Sequence, residues 1–194
     1  NREVIFLGSI GNKNTDEDFP LEIDLRPNFI DPDHDVLVYS YLGGNNVNIS
    51  INNGVAEITP RLNWNGETSL IFIASDGEFT ALSNEILIFV NPINDAPELQ
   101  DIGNIDANEG QTITITASAI DHDNDILSYS VNDTRFNKNN NVFTWTTSFD
   151  DDGVYNFEVT ATDGQLTDKD PLIVRILNKN RNPILEDIPD FNVL

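Results

Sequence analysis

The run Asp31-Pro32-Asp33-His34-Asp35-Val36-Leu37-Val38-Tyr39 returns later in the chain as Asp121-His122-Asp123-Asn124-Asp125-Ile126-Leu127-Ser128-Tyr129. Alternating aspartates that lead into an alternating apolar pattern, met twice in order, mark a tandem repeat, and self-similarity on this scale outranks local propensity. Working outward, Asp16-Glu17-Asp18-Phe19-Pro20-Leu21-Glu22-Ile23-Asp24-Leu25 precedes the first run as Asn108-Glu109-Gly110-Gln111-Thr112-Ile113-Thr114-Ile115-Thr116-Ala117 precedes the second. Downstream, Ile73-Ala74-Ser75-Asp76-Gly77 recurs as Thr160-Ala161-Thr162-Asp163-Gly164, and Val90-Asn91-Pro92-Ile93-Asn94-Asp95-Ala96-Pro97 as Leu177-Asn178-Lys179-Asn180-Arg181-Asn182-Pro183.

A repeat of roughly 90 residues is the size of a sandwich domain, not of a solenoid turn. Inside each copy the apolar positions alternate: Ile113, Ile115 and Ala117 share one face, as do Tyr155, Phe157 and Val159. Period two, broken by the turn pairs Asn53-Gly54, Asp76-Gly77 and Asp163-Gly164, predicts short half-buried strands and no helix. The expected fold is all-β, two tandem Greek-key β-sandwich domains over residues 1–93 and 94–179. A third copy opens at 180–194, where Pro183-Ile184-Leu185-Glu186-Asp187-Ile188 repeats Pro97-Glu98-Leu99-Gln100-Asp101-Ile102, and supplies a first strand only.

Charge narrows the partners. The 33 acidic side chains against 10 basic ones, a formal −23, repel a phosphate backbone and leave no counterion-release drive for nucleic acid. Hard cations are the natural counterpart. With no cysteine there is neither a disulfide frame nor a thiolate metal site. No apolar run approaches the ~20 residues of a membrane span, so direct insertion by this segment is not expected. The lack of an initial methionine and of a leader-like opening reads as a piece of a longer exported polypeptide.

The acids gather at strand ends. A strand over 113–117 begins just after Glu109 and leads to Asp121 and Asp123, while one over 155–161 begins after Asp150-Asp151-Asp152 and leads to Asp163. If both run the same way, Glu109, Asp150, Asp151 and Asp152 share one pole of the domain and Asp121, Asp123 and Asp163 the other, roughly 20 Å away at ~3.3 Å per residue. Stacked domains would then bring the lower pole of one copy to the upper pole of the next across Asn94-Asp95, and calcium, which takes six to eight carboxylate, amide and backbone oxygens, would relieve the repulsion. Neither copy has the glycine and distal glutamate of an EF-hand loop. The duller alternative for Asp76 and Asp163 is a turn aspartate that accepts from its own backbone, and for Glu17 and Glu109 a charge that keeps a strand edge soluble.

At Glu109, Ala119-Ile120-Asp121-His122-Asp123, Val159-Thr160-Ala161-Thr162-Asp163-Gly164 and Asn94-Asp95-Ala96-Pro97 the chain resembles the cadherin-like repeats, in their dystroglycan-type and bacterial or archaeal surface-protein versions. The resemblance implies calcium at the linkers. The central junction would use Glu17, Asn94, Asp95, Asp121, Asp123 and Asp163, the upper pole of the first copy Asp31, Asp33 and Asp76, and the lower pole of the second Glu109, Asp151 and Asp152. Where the family carries a second acidic stretch, the first copy has Leu62-Asn63-Trp64-Asn65-Gly66-Glu67, and the linker over 178–183 carries Lys179 and Arg181, so metal should bind less well there.

No nucleophile–base pair or open metal position points to catalysis; His34 and His122 lie inside the Asp runs, in solvated loops. Trp145 alternates with Phe143 and is expected in a core, and Trp64 leans the same way. The expected role is a calcium-binding extracellular structural or adhesion module at the cell surface, a spacer or filament segment with calcium and neighbouring repeats as partners. Homotypic association, surface glycans and donation of a strand over 184–194 to a neighbour's edge are further expectations. The competing expectation is a carbohydrate-binding or accessory pair within a larger surface enzyme; the sequons at Asn48 and Asn132 suit export under both.

Overall fold

The computed structural model describes residues 1–184, and the first strand expected of a third copy falls mainly outside them. The chain divides into two compact units, 1–94 and the remainder from Asp95. The first is built of β1 (Ile5–Phe6), β2 (Lys13–Asp16), β3 (Leu21–Asp24), β4 (Phe29–Ile30), β5 (Val38–Gly43), β6 (Val47–Asn52), β7 (Val55–Pro60), β8 (Gly66–Ser75), β9 (Thr80–Leu82) and β10 (Ile86–Asn91). The second repeats the plan with β11 (Glu98–Leu99), β12 (Ile105–Asn108), β13 (Thr112–Thr116), β14 (Ala119–Ile120), β15 (Ser128–Val131), β16 (Asn137–Asn139), β17 (Val142–Thr146), β18 (Gly153–Thr162) and β19 (Thr167–Leu177). Among the described residues the one helical element is a 3-10 turn, Arg26–Asn28, placed where Pro27 presets its φ. Among the described residues no helix is long and apolar enough to cross a membrane.

In unit 1 one sheet has the order β2-β10-β8-β5 and the other β3-β7-β6; in unit 2 the orders are β12-β19-β18-β15 and β13-β17-β16. The first strand is split in both. β1 pairs antiparallel with β4, after which the chain turns through Gly8, at positive φ, and β2 pairs parallel with β10. β11 and β12 do the same against β14 and β19, through Gly103.

Alternation places the cores. Ile113, Ile115 and Ala117 from one sheet meet Phe157, Val159, Leu172, Val174 and Ile176 from the other, all buried. Ile23, Ala56 and Ile58 meet Leu70, Phe72, Ala74, Ile86, Ile88 and Val90 in unit 1. Trp145 is a core residue, edge-on to Phe136, Tyr155 and Phe157, and the Arg135 guanidinium caps the group 4.6 Å from the Tyr155 ring. Trp64 is half-buried and packs against the unit 1 core.

Candidate functional site

The acids sit where the strands place them. Glu109 follows β12, and its N–H donates to the carbonyl of Leu177, which ends β19. β19 is antiparallel to β18 with Ile176 opposite Gly153, so Glu109 and the Asp150–Asp152 turn before β18 share one pole. Asp163 follows β18 at the far end. There Leu99 donates its N–H to Asp168, which is paired with Ala161, and Leu99 is itself opposite Ala119, just before Asp121.

The two Asp runs fold alike. Asp31 Oδ1 accepts from the N–H of Asp33 at 2.6 Å and of Asp35 at 3.3 Å; Asp121 Oδ1 accepts from Asp123 and Asp125, both at 3.0 Å. The residue between those two donors takes a left-handed conformation, His34 at φ 67 in one run and Asn124 at φ 62 in the other. His34 and Asn124 are therefore the structural counterparts, and His122 instead lies 3.6 Å from Glu98. Each run thus spends one oxygen of its first aspartate on its own backbone. The other oxygen, Oδ2 of Asp31 and of Asp121, is buried and has no hydrogen-bond partner among the described residues.

Asp76 and Asp163 close turns. Asp76 Oδ1 accepts from Glu78 and Phe79 at 2.7 Å each, and Asp163 Oδ1 from Gln165 and Leu166 at 2.6 Å each. The backbone donors of Phe79 and Glu78 hold the Asp76 carboxyl below the ordinary range, and the Asp31 carboxyl is close enough to act on it as well. In unit 1 the pole also receives Asn1, whose Nδ2 donates to Asp76 at 3.1 Å, and Arg2 on Asp33. In unit 2 the N–H of Asp95 donates to Asp123 Oδ2 at 2.7 Å, while Asn94 closes unit 1.

Among the described residues the two glutamates are the most deeply buried acids, Glu17 2% and Glu109 1% exposed. Both clamp the segment that leaves their domain: Glu17 Oε1 accepts from the N–H of Ile93 at 2.6 Å and Glu109 Oε2 from Lys179 at 2.8 Å. Their second oxygens differ. Glu17 Oε2 meets the amide of Asn65 at 3.4 Å, whereas Glu109 Oε1 is unpartnered among the described residues. Asp151 spends its Oδ2 on the N–H of Ser148, and Asp152 immediately precedes β18. A strand-edge role does not describe either glutamate, because strand-edge solubility requires exposure.

Among the described residues no three Asp, Glu or His side chains form a ready-made metal group. A cation at either pole would therefore draw on backbone and amide carbonyls besides the carboxylates, a mixed donor set that suits calcium. The buried oxygens of Asp31, Asp121 and Glu109 fit such an ion, since an unpartnered buried carboxylate oxygen is costly unless a positive charge faces it.

Residues 8–91 match the family model described as a cadherin-like domain, and residues 96–176 that described as a putative Ig domain. Chitinase A of Pseudoalteromonas piscicida is 33% identical over 104 residues, which is 52% of this chain and 13% of the chitinase. Among solved structures, the first two cadherin repeats of human protocadherin-24 align with 92% of this chain and 100% of theirs, at 19% identity and a TM-score of 0.45. An endo-fucoidan hydrolase of glycoside hydrolase family 107 aligns over 92% of this chain and 29% of its own, at 16% identity and a TM-score of 0.40. The chain thus spans only a small part of the two hydrolases it resembles.

Proposed function

We propose that this tandem of a cadherin-like and an Ig-like domain is a non-catalytic extracellular spacer whose acidic poles bind calcium, and that the bound ion stiffens the linker between domains. One observation carries the reading: buried carboxylate oxygens at the strand ends, Asp31 Oδ2, Asp121 Oδ2 and Glu109 Oε1, lack a donor among the described residues. A fold pays for such atoms only if a ligand satisfies them or they serve some other end. In support, both ends of the linker are tied to these acids separately, Ile93 to Glu17 in unit 1 and Asp95 to Asp123 in unit 2.

The residues that would hold the ion are Asp121, Asp123, Asp163, Asn94 and Asp95 with Glu17 for the linker, Asp31, Asp33 and Asp76 for the upper pole of unit 1, and Glu109, Asp151 and Asp152 for the lower pole of unit 2. Extracellular calcium modules bind at about 10⁻⁴ to 10⁻³ M, so occupancy would follow the ambient ion. Calorimetric titration with calcium and sedimentation in calcium and in chelator test the proposal. Binding in the millimolar range or tighter, a raised Tm and a longer hydrodynamic form are expected, with a smaller rise in Tm for Asp123→Asn. Absence of both binding and a Tm change would refute it.

A second reading has its own support in the match to part of chitinase A: an accessory pair within a larger secreted hydrolase, with surface glycans as ligand. Chitin or fucoidan binding that survives chelation would favour it, and calcium-dependent lengthening without glycan binding would favour the spacer.

A further inference from the structure

The two repeats share a backbone plan but treat their acids differently. At the upper pole, the N–H of Arg2 donates to Asp33 Oδ2 at 2.6 Å, the counterpart of the Asp95 N–H on Asp123 Oδ2 at 2.7 Å. The backbone contact is the same; the side chain is not. Arg2 turns back onto the pole, with Nε 2.8 Å from Asp33 Oδ1 and Nη2 2.7 Å from the same oxygen and 2.6 Å from the carbonyl of Pro32. Unit 2 carries the carboxylate of Asp95 at that position.

A matching difference lies at the lower pole. Gly66 and Gly153 both open the strand that follows the pole, so Asn65 corresponds to Asp152. Asn65 supplies an N–H to Glu17 Oε2 at 3.4 Å. An ionised aspartate has no proton to give, and Glu109 Oε1 is unpartnered among the described residues, while the Arg181 guanidinium at the same pole reaches the exposed Asp150 Oδ1 at 3.4 Å.

We infer that repeat 1 neutralises its poles from within its own sequence, with Arg2 as a tethered cation and Asn65 as a neutral donor, so that calcium dependence is concentrated in repeat 2. The inference rests on the calcium reading above and adds to it an assignment of where the ion acts. Physically, a guanidinium fixed on Asp33 occupies its oxygens and repels a divalent ion, whereas an aspartate at the same backbone position adds an oxygen and a negative charge. Asp31 Oδ2 is still unpartnered among the described residues, 4% exposed as a residue, so some residual affinity is expected in repeat 1.

Each repeat holds one tryptophan, Trp64 and Trp145, so the whole chain reports on each domain separately. Thermal melts followed by fluorescence in Trp145→Phe, where Trp64 reports repeat 1, and in Trp64→Phe, where Trp145 reports repeat 2, are run in chelator and in about 10 mM calcium. An increase of about 5–10 °C is expected for repeat 2 and less than about 2 °C for repeat 1. Exchanging the residues should exchange the response: Arg2→Asp with Asn65→Asp makes repeat 1 calcium-dependent, and Asp95→Arg with Asp152→Asn blunts repeat 2. The exchanges act on different domains, so a misfolded variant in one leaves the other to decide. Equal calcium shifts in both repeats, or exchanges that alter neither, would overturn this inference and leave the calcium reading intact. No shift in either repeat would overturn both.

Discussion

Glu109 shows how one side chain can be read in two ways. The sequence places a glutamate before a strand, and only burial separates a soluble edge from a clamp on the chain: at 1% exposed, with one oxygen on the Lys179 N–H and the other without a partner among the described residues, it is held in place at an energetic cost. Glu109→Gln removes the charge and keeps the shape. In chelator the variant should be more stable by about 1–2 kcal/mol, because no charged oxygen is left buried without a partner. In calcium it should lose most of the ion's stabilising effect. Urea denaturation with and without chelator checks both signs, and a variant less stable than wild type in chelator would show that the glutamate is satisfied without metal. Asp76 and Asp163 teach the converse point. Their turn role was readable from Asp-Gly alone, and the structure shows that role in full.

At the scale of elements, the long hairpin β18–β19 carries the second core, with Val159 opposite Asp170 and Phe157 opposite Leu172. The first unit interrupts the same hairpin: β9 ends at Leu82, Ser83 donates its N–H to the Phe72 carbonyl and receives the Phe72 N–H on its hydroxyl, and β10 resumes at Ile86. Nothing in the run Leu82-Ser83-Asn84-Glu85 announces that break. The sequence shows an alternating pattern, and the meeting of the buried Phe72 N–H by a serine hydroxyl, and of the Phe72 carbonyl by the same serine's N–H, is settled by the neighbouring strand. Trp145 is the clearest element-level commitment. It fills the space between sheets among Phe136, Tyr155 and Phe157, so Trp145→Ala should cost about 3–5 kcal/mol. Because the two cores are built from separate residues, the loss should appear in the unfolding transition of the second unit and leave the first unchanged, measured by calorimetry or by Trp64 fluorescence.

For the whole molecule, the excess of acid over base sets the response to pH. The carboxyls of Asp33, Asp76, Asp133 and Asp151 are held below the ordinary range, by Arg2, by the Phe79 and Glu78 N–H groups, by Arg135 and by the Ser148 N–H. A carboxyl depressed in the folded state stabilises above its unfolded value, and that contribution fades as pH falls through the folded value. Stability in chelator should therefore decline below about pH 4. Melts from pH 7 to pH 2 test this, and a Tm that kept rising to the acid limit would mean that repulsion among the 33 acids outweighs these contacts.

The division between sequence and structure follows from the range of the forces. Strand alternation, Asp-Gly turns and the duplicated Asp runs are local, so the all-β fold, its duplication and the clustering of acids at strand ends were determined by the sequence itself. Whether a carboxylate is buried, and whether a donor reaches it, depends on residues far apart in the chain: Glu17 on Asn65 and Ile93, Asp33 on Arg2, Glu109 on Lys179. That the two repeats differ in how their charges are met was thus decided only by the tertiary structure, because solvation and hydrogen bonding of a buried group are set by the far-off segments that close over it.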